Sequence, residues 1–221
     1  MIIDHKLLSS WSPDGDLYGS CYVLKHTNLI YINIPKNAST WTKSQLSVLG
    51  CYNDNYFINS ELVKKPTLVI FRDPIERWIS GISWYMTSTY EDDLIDKCEK
   101  NDFVRSTVMS MVSKKIDFDA HTVPQERFLQ CIDFDRTTFI KVQHNNDTFR
   151  EIFSKFFKNE LGINNSFDQT TSQHSAMGNP IQIRWVNFFR SQLDIDLSTQ
   201  LKKYYLRDIV LFNTIKFYDP R

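Results

Sequence analysis

Residues 29–49 read LIYINIPKNASTWTKSQLSVL, and this stretch decides the predicted fold. It opens with an apolar run rich in β-branched and aromatic residues, a pattern typical of a buried β-strand. Pro35 breaks the run, and small or polar residues follow up to Thr40. Beyond them, Trp41, Leu46, Val48 and Leu49 are available for burial on a helix. The stretch therefore predicts a strand, a tight loop and a helix in that order.

The loop between this strand and helix has the features of an anion-binding site. A helix N-terminus that follows a strand directs free backbone N–H groups and the positive end of the helix dipole at one point. Lys36 adds a full charge, and the hydroxyls of Ser39 and Thr40 can cap the helix and donate to an anion. The candidate anion-binding residues are Pro35, Lys36, Asn37, Ala38, Ser39 and Thr40. The loop is not a Walker A sequence, because that motif requires two glycines. An ordinary strand–helix corner is the alternative interpretation.

Residues 66–86, PTLVIFRDPIERWISGISWYM, repeat the pattern of a strand followed by a helix. Thr67–Phe71 is a short apolar run that predicts a second buried strand. A strong helix start follows, with Asp73 as the N-cap, Pro74 at the first helical position and Glu76 completing a capping box. The sequence therefore predicts a helix that begins directly after this strand.

Arg72 stands between this strand and helix, and Ser80 lies one to two turns into the helix. A guanidinium and a hydroxyl in these places can bind one phosphate group, the first through charge and its planar fork, the second through a hydrogen bond. A surface salt bridge with Asp73 or Glu76 is the simpler alternative for the arginine. Arg72 follows the loop lysine by about 35 residues, the length of one βαβ unit.

The phrases IPKNAST (residues 34–40) and FRDPIERWIS (residues 71–80) resemble the two donor-binding motifs of sulfotransferases that use 3′-phosphoadenosine 5′-phosphosulfate (PAPS). They look especially like those of the Golgi-type carbohydrate sulfotransferases, such as the chondroitin 4-O enzymes. The resemblance implies that the 35–40 loop holds the 5′-phosphosulfate and that Arg72 and Ser80 hold the 3′-phosphate. It also implies that Lys36 neutralises charge on the bridging oxygen, that the acceptor is a hydroxyl, on a carbohydrate, and that no metal is needed.

Two residues are candidates for the general base that takes the proton of the acceptor hydroxyl. Residues 117–125, DFDAHTVPQ, resemble the D-x-H-W-x-P-Q phrase of the same enzymes, with Thr122 in place of the tryptophan. His121, with a carboxylate such as Asp119 nearby, is suited to accepting a proton. Glu61 is the alternative, because several sulfotransferases use a glutamate downstream of the loop lysine. A loop histidine that bonds only Asp119 or the backbone is the competing interpretation.

The resemblance covers about residues 28–217, with a second departure besides Thr122. Residues 164–179, NNSFDQTTSQHSAMGN, form a polar loop at a place where comparable enzymes often carry a lysine or arginine that faces the nucleotide. This loop has neither, so the resemblance implies no charged nucleotide contact from it. Residues 180–217 are predicted to form two helices, the second of which contains YYLRDIVLF, like the Y-x-x-D-x-x-x-F helix that ends the family's fold.

The predicted fold is α/β, with a P-loop-NTPase-like central parallel sheet flanked by helices and a helical C-terminal part. Three apolar strands, near residues 29–34, 67–71 and 137–142, alternate with helices, which favours parallel strands joined by right-handed crossovers. Residues 20–25 are predicted to form an edge strand, and residues 53–55 a loop. The length of 221 residues predicts one domain, residues 1–221. Lys36 and Arg72 should then lie at the C-terminal ends of strands, where such sheets bind ligands.

The composition limits the classes of partner and compartment. The 26 basic and 26 acidic side chains cancel, so the overall charge does not indicate nucleic acid or a polyanionic surface as a partner. Cys21, Cys51, Cys98 and Cys131 show no metal-ligand spacing and are predicted to be small buried hydrophobes. No apolar run approaches the roughly 20 residues of a transmembrane helix. The sequence predicts a soluble, cytoplasmic chain of bacterial or viral type, or a trimmed lumenal domain.

Two other functions stay open on the sequence. A P-loop-type kinase or other phosphotransferase requires Mg²⁺ ligands, and Asp73 is available for that role, although its D-P-x-E setting suits a helix cap better. A non-catalytic nucleotide- or carbohydrate-binding module would keep the anion-binding loops and lack the base. The identity of the acceptor and the oligomeric state do not follow from the sequence.

Overall fold

The computed structural model describes residues 20–55, 61–90, 95–96, 102–114, 120–130, 132–142, 146–165, 167 and 179–220. The chain divides into two compact units. The sheet unit comprises Asp14–Arg72, Gln125–Ser172 and Leu211–Arg221. The helical unit comprises Met1–Pro13, Asp73–Pro124 and Gln173–Val210. The boundary between Arg72 and Asp73 divides the second of the two predicted stretches, so that Arg72 belongs to the sheet unit and Ser80 to the helical unit.

Five β-strands are found among the described residues, and they form one mixed sheet in the sheet unit. They are β1 (Ser20–Leu24), β2 (Ile30–Ile32), β3 (Cys51–Asn55), β4 (Thr67–Phe71) and β5 (Thr137–Lys141). The strand order is β3-β1-β2-β4-β5. β2, β4 and β5 run parallel, with Ile30 opposite Thr67 and Thr67 opposite Thr137. β1 runs antiparallel to both of its neighbours, β2 and β3. The prediction of an α/β fold is confirmed.

The described residues also form seven α-helices. They are α1 (Ser39–Val48), α2 (Pro74–Thr89), α3 (Phe103–Lys114), α4 (Asn146–Leu161), α5 (Pro180–Gln192), α6 (Ile195–Tyr204) and α7 (Leu206–Thr214). α1 and α4 belong to the sheet unit, and α2, α3, α5 and α6 belong to the helical unit. The unit boundary after Val210 falls within α7.

In the sheet unit, one face of the sheet packs against α1 and α4. Trp41 of α1 meets Phe153 of α4 edge to face, with 5.1 Å between the ring centroids. The buried members of this cluster are Leu24, Leu29, Tyr31, Trp41, Leu46, Leu68, Ile70, Ile140, Phe149, Phe153, Phe156, Phe157 and Phe167. Side chains alternate along a strand, so Phe71 points to the opposite face, where it stacks on Phe212 at 6.1 Å. Because both of its faces are buried, the C-terminal end of β4 is held in place, and Arg72 follows it directly.

In the helical unit, α2 begins where the sequence predicted. One carboxylate oxygen of Asp73 accepts from the backbone N–H groups of Ile75 and Glu76, at 3.0 Å each, and Pro74 takes the first helical position. The inner stripe of α2 contributes Trp78, Ile79, Ile82 and Met86 to the core. The rest of the buried cluster comes from Ile95 and from α3, α5, α6 and Tyr205. The capping interactions of Asp73 confirm the predicted helix start.

Three predictions about the sheet are wrong in their detail. The sheet is mixed instead of parallel, because β1 and β3 join it in antiparallel pairs. β1 is an inner strand instead of an edge strand, and residues 53–55, predicted as a loop, belong to β3, which forms the edge. Asn53 lies opposite Tyr22 in the ladder, and its side chain accepts a hydrogen bond from Ser20 at 3.3 Å. Pairing with β1 therefore overrides the turn preference of these polar residues.

The C-terminal part differs from the prediction of two helices, because residues 180–214 form three. Asp194 caps α6 by accepting from the backbone N–H of Leu197 at 2.8 Å, and Tyr205 separates α6 from α7. Cys21 is buried and Cys51 half-buried, both with reduced thiols, whereas Cys98 and Cys131 lie outside the described residues. Across the described ranges, no helix combines the length and the apolar character needed to cross a membrane.

Candidate functional site

The 35–40 loop holds two non-glycine residues in the left-handed backbone region. Lys36 has φ 67° and Ala38 has φ 56°. This conformation costs about 1–2 kcal/mol for a residue with a side chain, and such strain concentrates at functional sites. Successive N–H groups in backbone of this kind form concave anion-binding nests. The loop therefore holds strained backbone on both sides of Asn37.

The start of α1 differs from the prediction that Ser39 and Thr40 cap it. Ala38 is the N-cap, and it has no side-chain hydrogen bond to the first turn. The backbone carbonyl of Ala38 accepts from the N–H of Thr42 at 3.0 Å and from its hydroxyl at 3.1 Å, which begins the helix. Ser39 is half-buried and Thr40 exposed, both within the first turn. The methyl side chain of Ala38 cannot accept a hydrogen bond, so the backbone N–H groups of the first turn are left to other partners.

The side chain of Asn37 points into the protein. It is fully buried, and its Nδ2 donates to the backbone carbonyl of Ile70 at 2.8 Å and to Oε1 of Gln125 at 2.6 Å. Asn37 was predicted to bind the anion, and these contacts give its side chain another role. It fastens the 35–40 loop to the end of β4.

Gln125 is the residue that sequence reasoning missed. Its fully buried amide accepts from the backbone N–H of Arg72 at 3.2 Å and donates to the backbone carbonyl of Arg72 at 2.9 Å. The sequence offered one signal, the position of Gln125 at the end of the phrase DFDAHTVPQ. That phrase gives no indication of its partners. Gln125 therefore supplies Arg72 with the main-chain bonds that a neighbouring strand would otherwise supply.

The structure brings Arg72 and Lys36 together in the sheet unit. Nη1 of Arg72 donates to the backbone carbonyl of Lys36 at 3.1 Å. Both residues follow the C-terminal ends of neighbouring parallel strands, β2 and β4. The guanidinium of Arg72 and the backbone of Lys36 therefore meet beyond the C-terminal ends of these two strands, and Lys36 lies three residues before the start of α1.

In the helical unit, His121 packs against α2 at Gly81, the residue after Ser80. Ser80 is half-buried in the second turn of α2. A Cβ atom at position 81 would lie 2.3 Å from the backbone oxygen of His121, which is too close for any side chain, so only glycine fits there. The imidazole of His121 lies 6.2 Å from the ring of Trp84, centroid to centroid. The half-buried histidine therefore packs against the part of α2 that carries Gly81 and Trp84.

Buried side chains hold the backbone on both sides of His121. Arg77 is 1% exposed, and its guanidinium donates to the carbonyls of Ala120, at 3.1 Å, and Val123, at 2.5 Å. The hydroxyl of Tyr205 donates to the carbonyl of Thr122. These bonds fix the 120–123 loop, so His121 has a rigid support. Asp119, predicted as a carboxylate near His121, lies outside the described residues.

Glu61, the alternative base, is exposed. Its carboxylate accepts from Nζ of Lys64 at 2.8 Å, and 72% of its side chain is accessible to solvent. The hydrogen bond and the charge of Lys64 lower the pKa of Glu61 below its usual value. A carboxylate with a lowered pKa is a weaker base at neutral pH.

The predicted site residues thus fall into two groups. Residues 35–40 and Arg72 lie together in the sheet unit, which also contains Glu61, whereas Ser80 and His121 belong to the helical unit. Within the described ranges, no group of three or more His, Cys, Asp or Glu side chains is arranged to hold a metal ion. Most of the 164–179 loop, namely residues 166 and 168–178, lies outside the described residues.

Comparison with protein-family models finds no match for this chain, and comparisons with curated proteins and with solved structures find no match either.

Proposed function

We propose that this chain is a sulfotransferase that moves the sulfuryl group of PAPS to a hydroxyl, on a carbohydrate acceptor. The observation that carries the proposal is the contact between Arg72 and the Lys36 carbonyl at the ends of β2 and β4. The phrases IPKNAST and FRDPIERWIS resemble donor-binding motifs, and this contact brings their cationic residues to one edge of the sheet. A P-loop-like arrangement of β2, β4 and β5 is part of the same proposal.

Two sets of residues bind the donor in this proposal. The N-terminus of α1 and the hydroxyls of Ser39 and Thr40 bind the 5′-phosphosulfate together with the 35–40 loop. Within that loop Pro35 has no N–H, and the N–H of Asn37 donates to the carbonyl of Ile34 at 3.3 Å, so neither contributes a backbone donor. The guanidinium of Arg72 binds the 3′-phosphate, and the resemblance of FRDPIERWIS to the 3′-phosphate motif assigns the hydroxyl of Ser80 to the same group. The left-handed conformations of Lys36 and Ala38 support the first assignment, because they preform a nest before the donor arrives.

In the proposed transfer reaction, Lys36 stabilises developing charge and His121 removes a proton. The bound donor supplies the sulfuryl group, whose sulfur is attacked in line by the acceptor oxygen while the bond to the bridging oxygen breaks. Lys36 neutralises the negative charge that develops on the bridging oxygen. His121 takes the proton of the acceptor hydroxyl. The sulfated acceptor and 3′-phosphoadenosine 5′-phosphate (PAP) are left.

The structure favours His121 over Glu61 as the base. The backbone beside His121 is held by Arg77 and Tyr205, which a positioned base requires. Glu61 is exposed and already paired with Lys64, and its pKa is lowered.

Replacement of each candidate base tests the proposal and the assignment together. His121→Asn is expected to lower turnover by about 10²–10⁴-fold, the usual contribution of a general base. Glu61→Gln is the matched control and is expected to leave turnover within about twofold, because an exposed ion pair contributes little. The measurement is release of PAP from PAPS in the presence of desulfated chondroitin oligosaccharides and related sugars. If Glu61→Gln lowers turnover and His121→Asn does not, the base is Glu61. If the wild-type protein shows no turnover with any of the sugars, the proposed acceptor class is wrong.

The kinase alternative gains no support from Asp73. That function required the carboxylate as a Mg²⁺ ligand. One of its oxygens instead accepts from two backbone N–H groups at the start of α2, as an N-cap does.

A further inference from the structure

The amide of Gln125 links the two cationic elements of the sheet unit. Its Oε1 accepts both from the backbone N–H of Arg72, at 3.2 Å, and from Nδ2 of Asn37, at 2.6 Å. Its Nε2 donates to the backbone carbonyl of Arg72 at 2.9 Å. One buried side chain therefore holds both main-chain groups of Arg72 and one side chain of the 35–40 loop.

The backbone dictates the orientation of both amides. A backbone N–H can only donate and a carbonyl can only accept, so Gln125 must turn Oε1 towards the N–H of Arg72 and Nε2 towards its carbonyl. Asn37 must then present Nδ2, because both of its partners, the carbonyl of Ile70 and Oε1 of Gln125, are acceptors. Neither amide can be flipped without placing an oxygen against an oxygen.

This orientation leaves one acceptor of Asn37 unsatisfied. Oδ1 of Asn37 is buried and has no hydrogen-bond partner among the described residues. An unsatisfied buried acceptor costs about 1–3 kcal/mol. Asn37 is held in this orientation because the link to Ile70 and Gln125 outweighs that cost.

We propose that Gln125 is a positioning residue, which sets the distance between the Lys36 loop and Arg72 and thereby between the two anion-binding elements of the donor site. The proposal rests on the proposed function, because it gives the two elements their ligand. β4 ends at Phe71, and Arg72 lies beyond the last bonded strand residue. Gln125 hydrogen-bonds the backbone N–H and carbonyl of Arg72 beyond that end. The backbone of Arg72 is therefore held in place, and its guanidinium donates to the Lys36 carbonyl from a fixed position. Groups that bind one ligand at two points need this control to within about 0.5 Å.

Gln125→Met tests the proposal, because it removes the three hydrogen bonds and adds no charge. The dissociation constant for PAP, measured by calorimetry, is expected to rise about 10- to 100-fold, while thermal unfolding stays cooperative. Gln130→Met makes the same replacement at an exposed glutamine and is expected to leave the affinity unchanged. Wild-type affinity in folded Gln125→Met would overturn the proposal.

Asn37→Ala severs the same link from the loop side and serves as a second variant if Gln125→Met does not fold. It is expected to weaken PAP binding, and wild-type affinity would count against the proposal. The variant that combines both changes is expected to bind PAP about as weakly as the worse single variant, because the Asn37–Gln125 bond is already lost in each. Full additivity of the two losses would mean that the residues act separately, which also contradicts the proposal.

A readout without ligand separates this proposal from the proposed function. In Asn37→Ala, the backbone N–H resonance of Arg72 is expected to shift in nuclear magnetic resonance spectra of the ligand-free protein, because Gln125 loses one of its anchors. If the wild type does not bind PAP, the proposed function fails, and the Arg72 resonance still decides whether Gln125 positions Arg72. If the wild type binds PAP and the resonance does not move, the positioning proposal fails and the function stands.

Discussion

Lys36→Ala is expected to lower the rate of sulfuryl transfer by about 10²–10³-fold, the loss typical of removing one preorganised group that stabilises transition-state charge. The fold should survive, because the contact between Arg72 and residue 36 uses the backbone carbonyl, which the substitution keeps. Alanine also carries a Cβ, so the strain of the left-handed backbone at φ 67° stays the same. The measurement is single-turnover release of PAP from PAPS. Undiminished turnover would remove Lys36 from the proposed mechanism.

Two control variants separate charge from backbone conformation. Lys25→Ala removes an exposed lysine of the same unit and is expected to leave the rate unchanged. Lys36→Gly relieves the left-handed strain, worth about 1–2 kcal/mol for a residue with a side chain, and should be as inactive as Lys36→Ala. A Lys36→Gly variant that retained the wild-type rate would show that the loop backbone alone supports the reaction.

Arg77→Met is expected to lower the free energy of unfolding by about 2–5 kcal/mol, because the carbonyls of Ala120 and Val123 lose a charged donor in the protein interior. Arg77 is almost fully buried, so water cannot replace it at these carbonyls. Unfolding in urea, followed by circular dichroism, gives the difference. The loop that carries His121 should also be less well ordered in this variant, with lower turnover.

Arg184→Met is the matched control in the same unit. Arg184 pairs with Asp96 at 3.3 Å, but half of its side chain is exposed. Such a surface pair contributes at most about 1 kcal/mol. If Arg77→Met destabilises the protein no more than Arg184→Met, the role given to Arg77 is wrong.

The parts of the fold that depend on residues close in the chain could be predicted from the sequence. Asp73 and Pro74 start α2 through local hydrogen bonds and a fixed backbone angle, and both were identified from their order alone. The apolar run Thr67–Phe71 coincides with β4. The 35–40 loop follows a predicted strand, which placed Lys36 near the edge of the sheet.

The contacts that assemble the site join distant residues, and no pattern in the sequence specifies them. Gln125 bonds Asn37 across 88 positions and Arg72 across 53. A single buried glutamine forms no repeating sequence pattern, so its hydrogen-bond partners become known only when the strands are in place in the fold. The close contact between Gly81 and His121 is hidden for the same reason.

The mixed sheet shows how pairing can override local preference. Residues 53–55 are all of types that favour turns, yet they extend β3 along β1. A polar strand suits a sheet edge, where one side faces solvent. The polar composition of the segment indicates exposure to solvent, and an exposed edge strand has the same composition as the loop that was predicted.

Calorimetric titration with PAP, without metal ions and beside ATP with Mg²⁺, distinguishes a PAPS-dependent sulfotransferase from a kinase. We expect metal-independent PAP binding by the wild type and a loss of affinity of about 10²-fold or more in Arg72→Ala, which lacks the charged hydrogen bonds to the 3′-phosphate. Arg136→Ala, at an exposed arginine of the same unit, should bind as the wild type does. Binding of ATP with Mg²⁺ in place of PAP, or of neither, would contradict the proposal of a sulfotransferase.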